Sequence, residues 1–254
     1  MNRRLPQLVV VPVAALALVL APQVGAEAKK YTGNDRDNTL KGKSSNDRFY
    51  GYGGNDTITG AGGNDKAWGG DGDDTLKLGG GADQGYGEAG DDTVQGGGGN
   101  DLVDGGDGDD RLTGQAGDDH LVGGEGDDQT LQGGAGDDVV EGGGGRDDLD
   151  GGAGNDTLDD GDGDDHLSAD EGDDVLRVGP GADEVYGEPG ADTIYLLNDG
   201  AKDVVYCGDP QAGDPGDEVV LVGGRDPLDE IAHCPTITTQ RMTLPWSLLA
   251  RTLR

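Results

Sequence analysis

The chain has 254 residues, 53 of them glycine, with 32% hydrophobic and 4% aromatic content; a conventional globule is closer to half apolar, so an ordinary packed domain is excluded. Asp and Glu total 52 against 18 Lys and Arg, a formal net charge of -34, which argues against nucleic acid or an anionic membrane surface as a partner. Two classes remain: a disordered acidic polymer, or a scaffold that uses its acids to hold cations.

Residues 1–26 read as an export signal. MNRR is a short basic start, and LVVVPVAALALVL (Leu8–Leu20) is an apolar run, interrupted by Pro12 and short for a bilayer span. Val24-Gly25-Ala26 offers the small residues a signal peptidase reads, with Ala26-Glu27-Ala28 as a second cleavage site. An uncleaved membrane anchor is the alternative, and Arg3-Arg4 leaves the twin-arginine route open beside the general one. On the signal reading the mature protein is secreted, with no membrane insertion after cleavage.

Residues 33–195 are periodic. Counting from GYGGNDTIT (51–59), the chain runs in nonapeptides with glycine fourth, aspartate sixth and usually an aliphatic residue eighth. The sixth-place acids are Asp56, Asp65, Asp74, Asp83, Asp92, Asp101, Asp110, Asp119, Asp128, Asp138, Asp147, Asp156, Asp165, Asp174, Asp183 and Asp192, each with a glycine two residues earlier. Upstream, Asn38 and Asp47 stand in the same place, but Arg36 and Ser45 replace the glycine, which argues against sites there. The single slip is the ten-residue step from Asp128 to Asp138; an extra residue near Gln129 or Thr130 predicts a bulge that lets Leu131 take the inward place.

Glycine serves where the backbone turns tightly and brings its carbonyls close to an ion. A short carboxylate beside those carbonyls suits a hard cation with a shell of oxygens. A three-residue strand points one side chain inward and two outward, so one apolar position in nine is enough. Windings stacked as parallel strands would hold equivalent aspartates about 5 Å apart, where two carboxylates repel by about 3 kcal/mol at an effective dielectric of 20. A divalent ion between neighbours removes that opposition. A disordered Gly-Asp polymer is the competing reading, but it gives no reason for an aliphatic residue two places after nearly every aspartate, as at Ile58, Leu76, Val94 and Leu112. Magnesium is the weaker ligand because it dehydrates reluctantly, and zinc lacks its His and Cys cluster.

These nonapeptides resemble the haemolysin-type calcium-binding repeats of the RTX (repeats-in-toxin) family, GGxGxDxUx with U a large aliphatic residue. The resemblance implies an all-β fold, a right-handed parallel β-roll (β-solenoid) with two nonapeptides per coil, in which GGxGxD turns and xUx forms the strand. It also implies several calcium ions between successive coils, ligated by the sixth-place carboxylates and by carbonyls of the glycine-rich turns. Burying one aliphatic side chain in nine residues returns less than ordering them costs, so the chain is expected to fold only when calcium binds.

Some turns depart from the pattern. Ala67 and Gly85 hold the inward place eighteen residues apart, which predicts a thin core there. Tyr50, Trp68 and Tyr86 recur at the same spacing in the outward ninth place and predict an exposed aromatic column, either shielding the weak core or offering a stacking platform to a glycan or protein. Tyr186 and Tyr195 fall on opposite faces as packing residues, and Arg146 beside Asp147 weakens that site.

After Tyr195 the period breaks. Residues 196–234 keep short apolar runs after Asp203, Asp217 and Asp229 at unequal spacing and read as degenerate turns forming a short irregular C-terminal cap over the open end of the solenoid. Cys207 and Cys234 are the only cysteines; export permits a disulfide between them, two reduced buried thiols being the alternative. Residues 235–254 form a basic, apolar tail, with Arg241, Arg251, Arg254, Trp246 and Leu248, that docks on the acidic roll, frays or binds a partner.

His120, His166 and His233 have no Ser-His-Asp spacing, HExxH motif or nucleotide loop around them. The reading is therefore a secreted, monomeric calcium-binding protein and not an enzyme. The alternative is an extracellular adhesion module that presents the calcium-stiffened roll to a protein or glycan.

Overall fold

A chain with one inward aliphatic residue per nine can bury it only by stacking equivalent residues of successive windings. The computed structural model, which describes residues 28–208, 216–224 and 226–240, has that arrangement. Among the described residues, twenty-three strands run from β1 (Lys30–Asp35) to β23 (Thr236–Gln240). Odd-numbered strands form a twelve-stranded sheet, even-numbered strands an eleven-stranded one, and every pairing is between parallel strands two apart in sequence order. The molecule is a β-solenoid, each winding contributing one strand to each sheet. The proposed signal, residues 1–26, lies outside the described residues, as do residues 241–254 of the tail.

Register follows the repeat. Leu112 of β10 (Arg111–Ala116) pairs with Val94 of β8 (Thr93–Gly98) on one side and with Leu131 of β12 (Thr130–Ala135) on the other. All three are fully buried, as are Ile58, Leu76, Leu121, Leu149 and Leu167. The slip resolves as expected: Gln129 takes the seventh-place bond, its N–H donating to the Asp110 carbonyl at 3.1 Å, and Thr130 then pairs with Arg111. Gln129 is the extra residue, and Leu131 enters the core.

Two features differ from the expectation. Most strands are six residues long rather than three, because pairing resumes over the second and third places of the next repeat: Gln115 and Ala116 pair with Gly97 and Gly98 while Gly114 drops out. The bend there is made by a positive φ in second place, 83° at Gln115 and 120° at Gly97. The core beside Gly85 is also not thin. A Cβ added to Gly85 would lie 2.8 Å from Val94 Cγ1 and 3.0 Å from Leu78 Cδ1. Leu78, in a first place where glycine is usual, is fully buried and fills the space that Gly85 leaves.

Beyond Tyr195 the ladders continue while the connections lengthen. Val185 pairs with Val205, Val205 with Ile231, Ile194 with Val219, and Val219 with Ile237. The last strand, β23, is exposed along its length, and Ile237 is 45% exposed. Cys207 and Cys234 are joined by a disulfide that closes a separation of 27 residues across the widened windings. Replacing Cys234 with Ser is expected to lower stability by about 3–4 kcal/mol on the chain-entropy argument; thermal melts in calcium with and without reductant check this, and coincident melts would refute it.

Tyr50, Trp68 and Tyr86 form the expected column, with ring centroids 4.8 and 5.5 Å apart and planes nearly parallel. Lys30 Nζ covers the outer face of Tyr50 at 4.5 Å. A second column, formed by His166, Tyr186, Tyr206 and His233, runs on the other sheet. It breaks the eighteen-residue spacing because His166 stands two places before the residue in register with Tyr186 and because the connections lengthen beyond Tyr186. Tyr195 packs instead against Leu197 and Val222.

Candidate cation sites

The turn between sheets starts at the fourth-place glycine. Gly126 has a φ of 140°, and a Cβ there would lie 2.2 Å from the carbonyl oxygen of Gly108 in the preceding winding; a side chain is excluded by both conformation and space. The tight turn carries the sixth-place aspartate inward, and all sixteen are at most 4% exposed. Each is locked by its backbone. In the Asp92, Asp110, Asp128 column the N–H of one aspartate donates to Oδ1 of the next at 2.7 and 2.8 Å, and Asp128 N–H donates to Asp147 Oδ1 at 2.9 Å.

The other oxygen has no such partner. In fifteen of these residues, Asp56 through Asp183, Oδ2 is buried without a hydrogen bond. It faces the first place of its own repeat, where in eleven of the fifteen a glycine keeps a cradle open. A Cβ added at Gly123 would lie 2.1 Å from Asp128 Oδ2 and 2.5 Å from the Gly142 carbonyl oxygen of the following winding. A Cβ added at Gly105 would lie 2.1 Å from Asp110 Oδ2 and 2.7 Å from the Gly123 carbonyl oxygen. An anionic oxygen and a main-chain carbonyl oxygen thus converge on one small space, repeated down both sides of the roll. That donor set, all oxygen and net negative, fits calcium. Gly123→Val would fill the cradle and is expected to cost about 1–3 kcal/mol in thermal unfolding. Gly98→Ala, where nothing lies within 4 Å of the added Cβ, should melt like the parent.

Electrostatics mark the same groups. Burial is the largest cause that lifts these carboxyls, and nearby carboxylates, from the same column for most and from Asp91, Asp104 and Asp109 for Asp110, add to it; the N–H bond to Oδ1 works the other way without cancelling them. Asp65, Asp74, Asp101 and Asp110 rise to about 6, Asp119, Asp128 and Asp174 to about 7, and Asp92 and Asp183 to about 8.

Asp47 is the counterexample. Burial works against its ionisation, yet three bonds hold its carboxyl below the ordinary value. They come from the Lys29 N–H at 2.9 Å, the Ser45 hydroxyl at 2.8 Å and the Lys43 N–H at 3.2 Å. Both of its oxygens are satisfied. Asn38 Oδ1 likewise accepts from the Asn34 N–H at 2.7 Å. Arg146 holds its place through its backbone N–H, which donates to Asp127 Oδ1 at 2.9 Å, and the neighbouring Asp147 carboxyl still rises to about 6.

Three features were not anticipated from the repeat count. Asp203, Asp217 and Asp229 continue the buried columns, accepting from the N–H groups of Asp183, Asp192 and Asp203 at 3.1, 3.2 and 3.4 Å; each stands two residues before an inward Val205, Val219 or Ile231. The fifth place carries an exposed ladder of its own, in which Asp91 N–H donates to Asp73 Oδ1 at 3.3 Å and Asp109 N–H to Asp91 Oδ1 at 3.1 Å. The Asn or Asp frequent in that place was the available signal. Asp160, fully buried in a first place, lies with Asp165 and Asp183 so that their carboxylate oxygens are within 4.8 Å of one another. The histidines take part in none of this: His120 Nε2 is 3.1 Å from Glu141 Oε1, and His166 meets the edge of Tyr186.

A family model of the RTX calcium-binding nonapeptide repeat matches residues 32–67, 59–94, 95–130, 128–158 and 159–195. No curated protein matches the chain.

Proposed function

The chain belongs to the RTX calcium-binding nonapeptide repeat family, and on that premise we propose that it is a secreted, non-catalytic protein that folds by taking up calcium between successive windings. Asp56, Asp65, Asp74 and their equivalents through Asp192 are the carboxylate ligands, with carbonyl oxygens of the first-place residues completing each site. The observation that carries this reading is the row of buried Oδ2 atoms without hydrogen-bond partners, eleven of which, among them those of Asp56, Asp92 and Asp128, face a space that a first-place glycine leaves open. An orphaned buried carboxylate oxygen is costly, and a divalent cation is the simplest partner that satisfies a whole column. The bound ion supplies positive charge and a flexible oxygen shell; the chain supplies the donors and excludes water. Millimolar calcium outside the cell and low levels inside would delay folding until export, given site affinities of roughly 10⁻⁴–10⁻³ M.

Calorimetric titration of the chain from Glu27 onward, with calcium and with magnesium, tests the assignment. Several calcium ions per chain, with magnesium binding far more weakly, are expected. No calcium uptake at millimolar concentration would refute it. Adhesion through Tyr50, Trp68 and Tyr86 is less well supported, because both faces of Tyr50 and Trp68 and one face of Tyr86 are spent on one another and on Lys30.

A further inference from the structure

First-place residues point inward, and the chain uses that place in two ways. Glycine leaves a cradle beside the sixth-place carboxylate, while Leu78, Ala169 and Val178 fill it with hydrocarbon; all three are fully buried. Asp160 does neither. It puts an acid into a position with no access to water, where glycine or an apolar residue is accommodated without charge. One oxygen is fixed, Oδ1 accepting from the N–H of Gly161 at 2.7 Å and of Gly179 at 2.8 Å. The other, Oδ2, is buried with no hydrogen-bond partner, as are Oδ2 of Asp165 and Oδ2 of Asp183. Three carboxylates from two successive windings converge within 4.8 Å.

We infer that Asp160, Asp165 and Asp183 form a cation site distinct from the others in the roll, the one that binds a divalent ion most tightly and is filled first. The inference rests on the reading that sixth-place aspartates ligate calcium, and adds a ligand that the repeat pattern does not contain. Affinity in oxygen-donor sites rises with the number of charged ligands and with rigidity. This site has one carboxylate more than a site built from two sixth-place acids, and that carboxylate is held in place by two backbone bonds. An ionised carboxylate this deeply buried beside two others needs an opposite charge among them, and a divalent cation supplies it.

The test is a calcium titration of the chain from Glu27 onward, in competition with a chromophoric chelator, for the parent, Asp160→Asn and Asp160→Gly. Asn keeps the size, and Gly restores the repeat pattern. The parent is expected to show one step at least about tenfold tighter than the rest. Both variants should lose that step while keeping the weaker ones and the same circular dichroism in saturating calcium. Parent and variant curves that superimpose, or a parent with no distinct tight step, would overturn the inference while leaving calcium binding by the roll intact. Failure of both variants to fold in saturating calcium would also overturn it, in favour of a purely structural role for Asp160. Absence of calcium binding by the parent would instead remove the premise, and this site with it.

Discussion

Chelating calcium from the folded protein is expected to abolish its β-sheet circular dichroism, and millimolar calcium to restore it. The expectation follows from counting what the ion-free fold would have to bury. Leaving a buried polar group unsatisfied costs on the order of 1–3 kcal/mol, and more when it is charged. Fifteen sixth-place Oδ2 atoms are in that position, with Asp160 Oδ2 besides. Typical net stabilities are only about 5–15 kcal/mol, so even the low end of that range exhausts them. Nothing in the hydrophobic core compensates, since most windings bury one aliphatic residue per sheet. Because each winding touches only its neighbours, the loss should spread along the solenoid. Spectra that coincide with and without chelator would show that the carboxylate columns are stable unaided, and the calcium-gated reading would fall.

The nine-residue period made most of this architecture legible before any coordinates. An aliphatic residue two places after the aspartate predicts the inward column, and Leu112, Leu131 and Leu149 occupy it with no exposed surface. A bulge near Gln129 or Thr130 was legible for the same reason, since an extra residue at either place keeps Leu131 inside; the pairing of Thr130 with Arg111 puts it at Gln129. What stayed hidden depends on contacts between windings rather than on the period. Leu78 looks like a defect in the glycine pattern, and its purpose appears only when its side chain is found against Gly85. The division of labour within each carboxylate, Oδ1 bonded to a backbone N–H and Oδ2 left facing a cradle, cannot be read from a string of letters. The C-terminal windings were legible only as degenerate turns, through the apolar runs after Asp203, Asp217 and Asp229, and for another reason. Pairing there requires only that Val205, Val219 and Ile231 reach the column, so connections of unequal length are tolerated and the spacing carries no signal.

Acid should partly replace calcium. In the ion-free fold Asp65, Asp74, Asp101 and Asp110 titrate at about 6, Asp119, Asp128, Asp165 and Asp174 at about 7, and Asp92 and Asp183 at about 8. Unfolded aspartates titrate near 3.9. The folded chain therefore holds protons that the unfolded chain releases, and ion-free stability rises as the pH falls from about 8 toward about 4. The gain is complete below the unfolded value and lost above the folded ones. Asp47, whose folded value is lowered, contributes the opposite slope below about 4, but it is one group against those ten and further raised carboxyls such as Asp147 and Asp156. In excess chelator, β-sheet signal is expected to appear between about pH 6 and about pH 4.5 in a chain that is unfolded at pH 8, with sedimentation at low concentration separating folding from aggregation near the isoelectric point of about 4.1. Calcium dependence should run the other way: protonated carboxyls are poor ligands, so the calcium concentration needed for half-folding should rise between pH 8 and about pH 6. A chelated chain that stays unfolded as a monomer down to about pH 4.5 would mean that carboxylate charge is not what opposes folding.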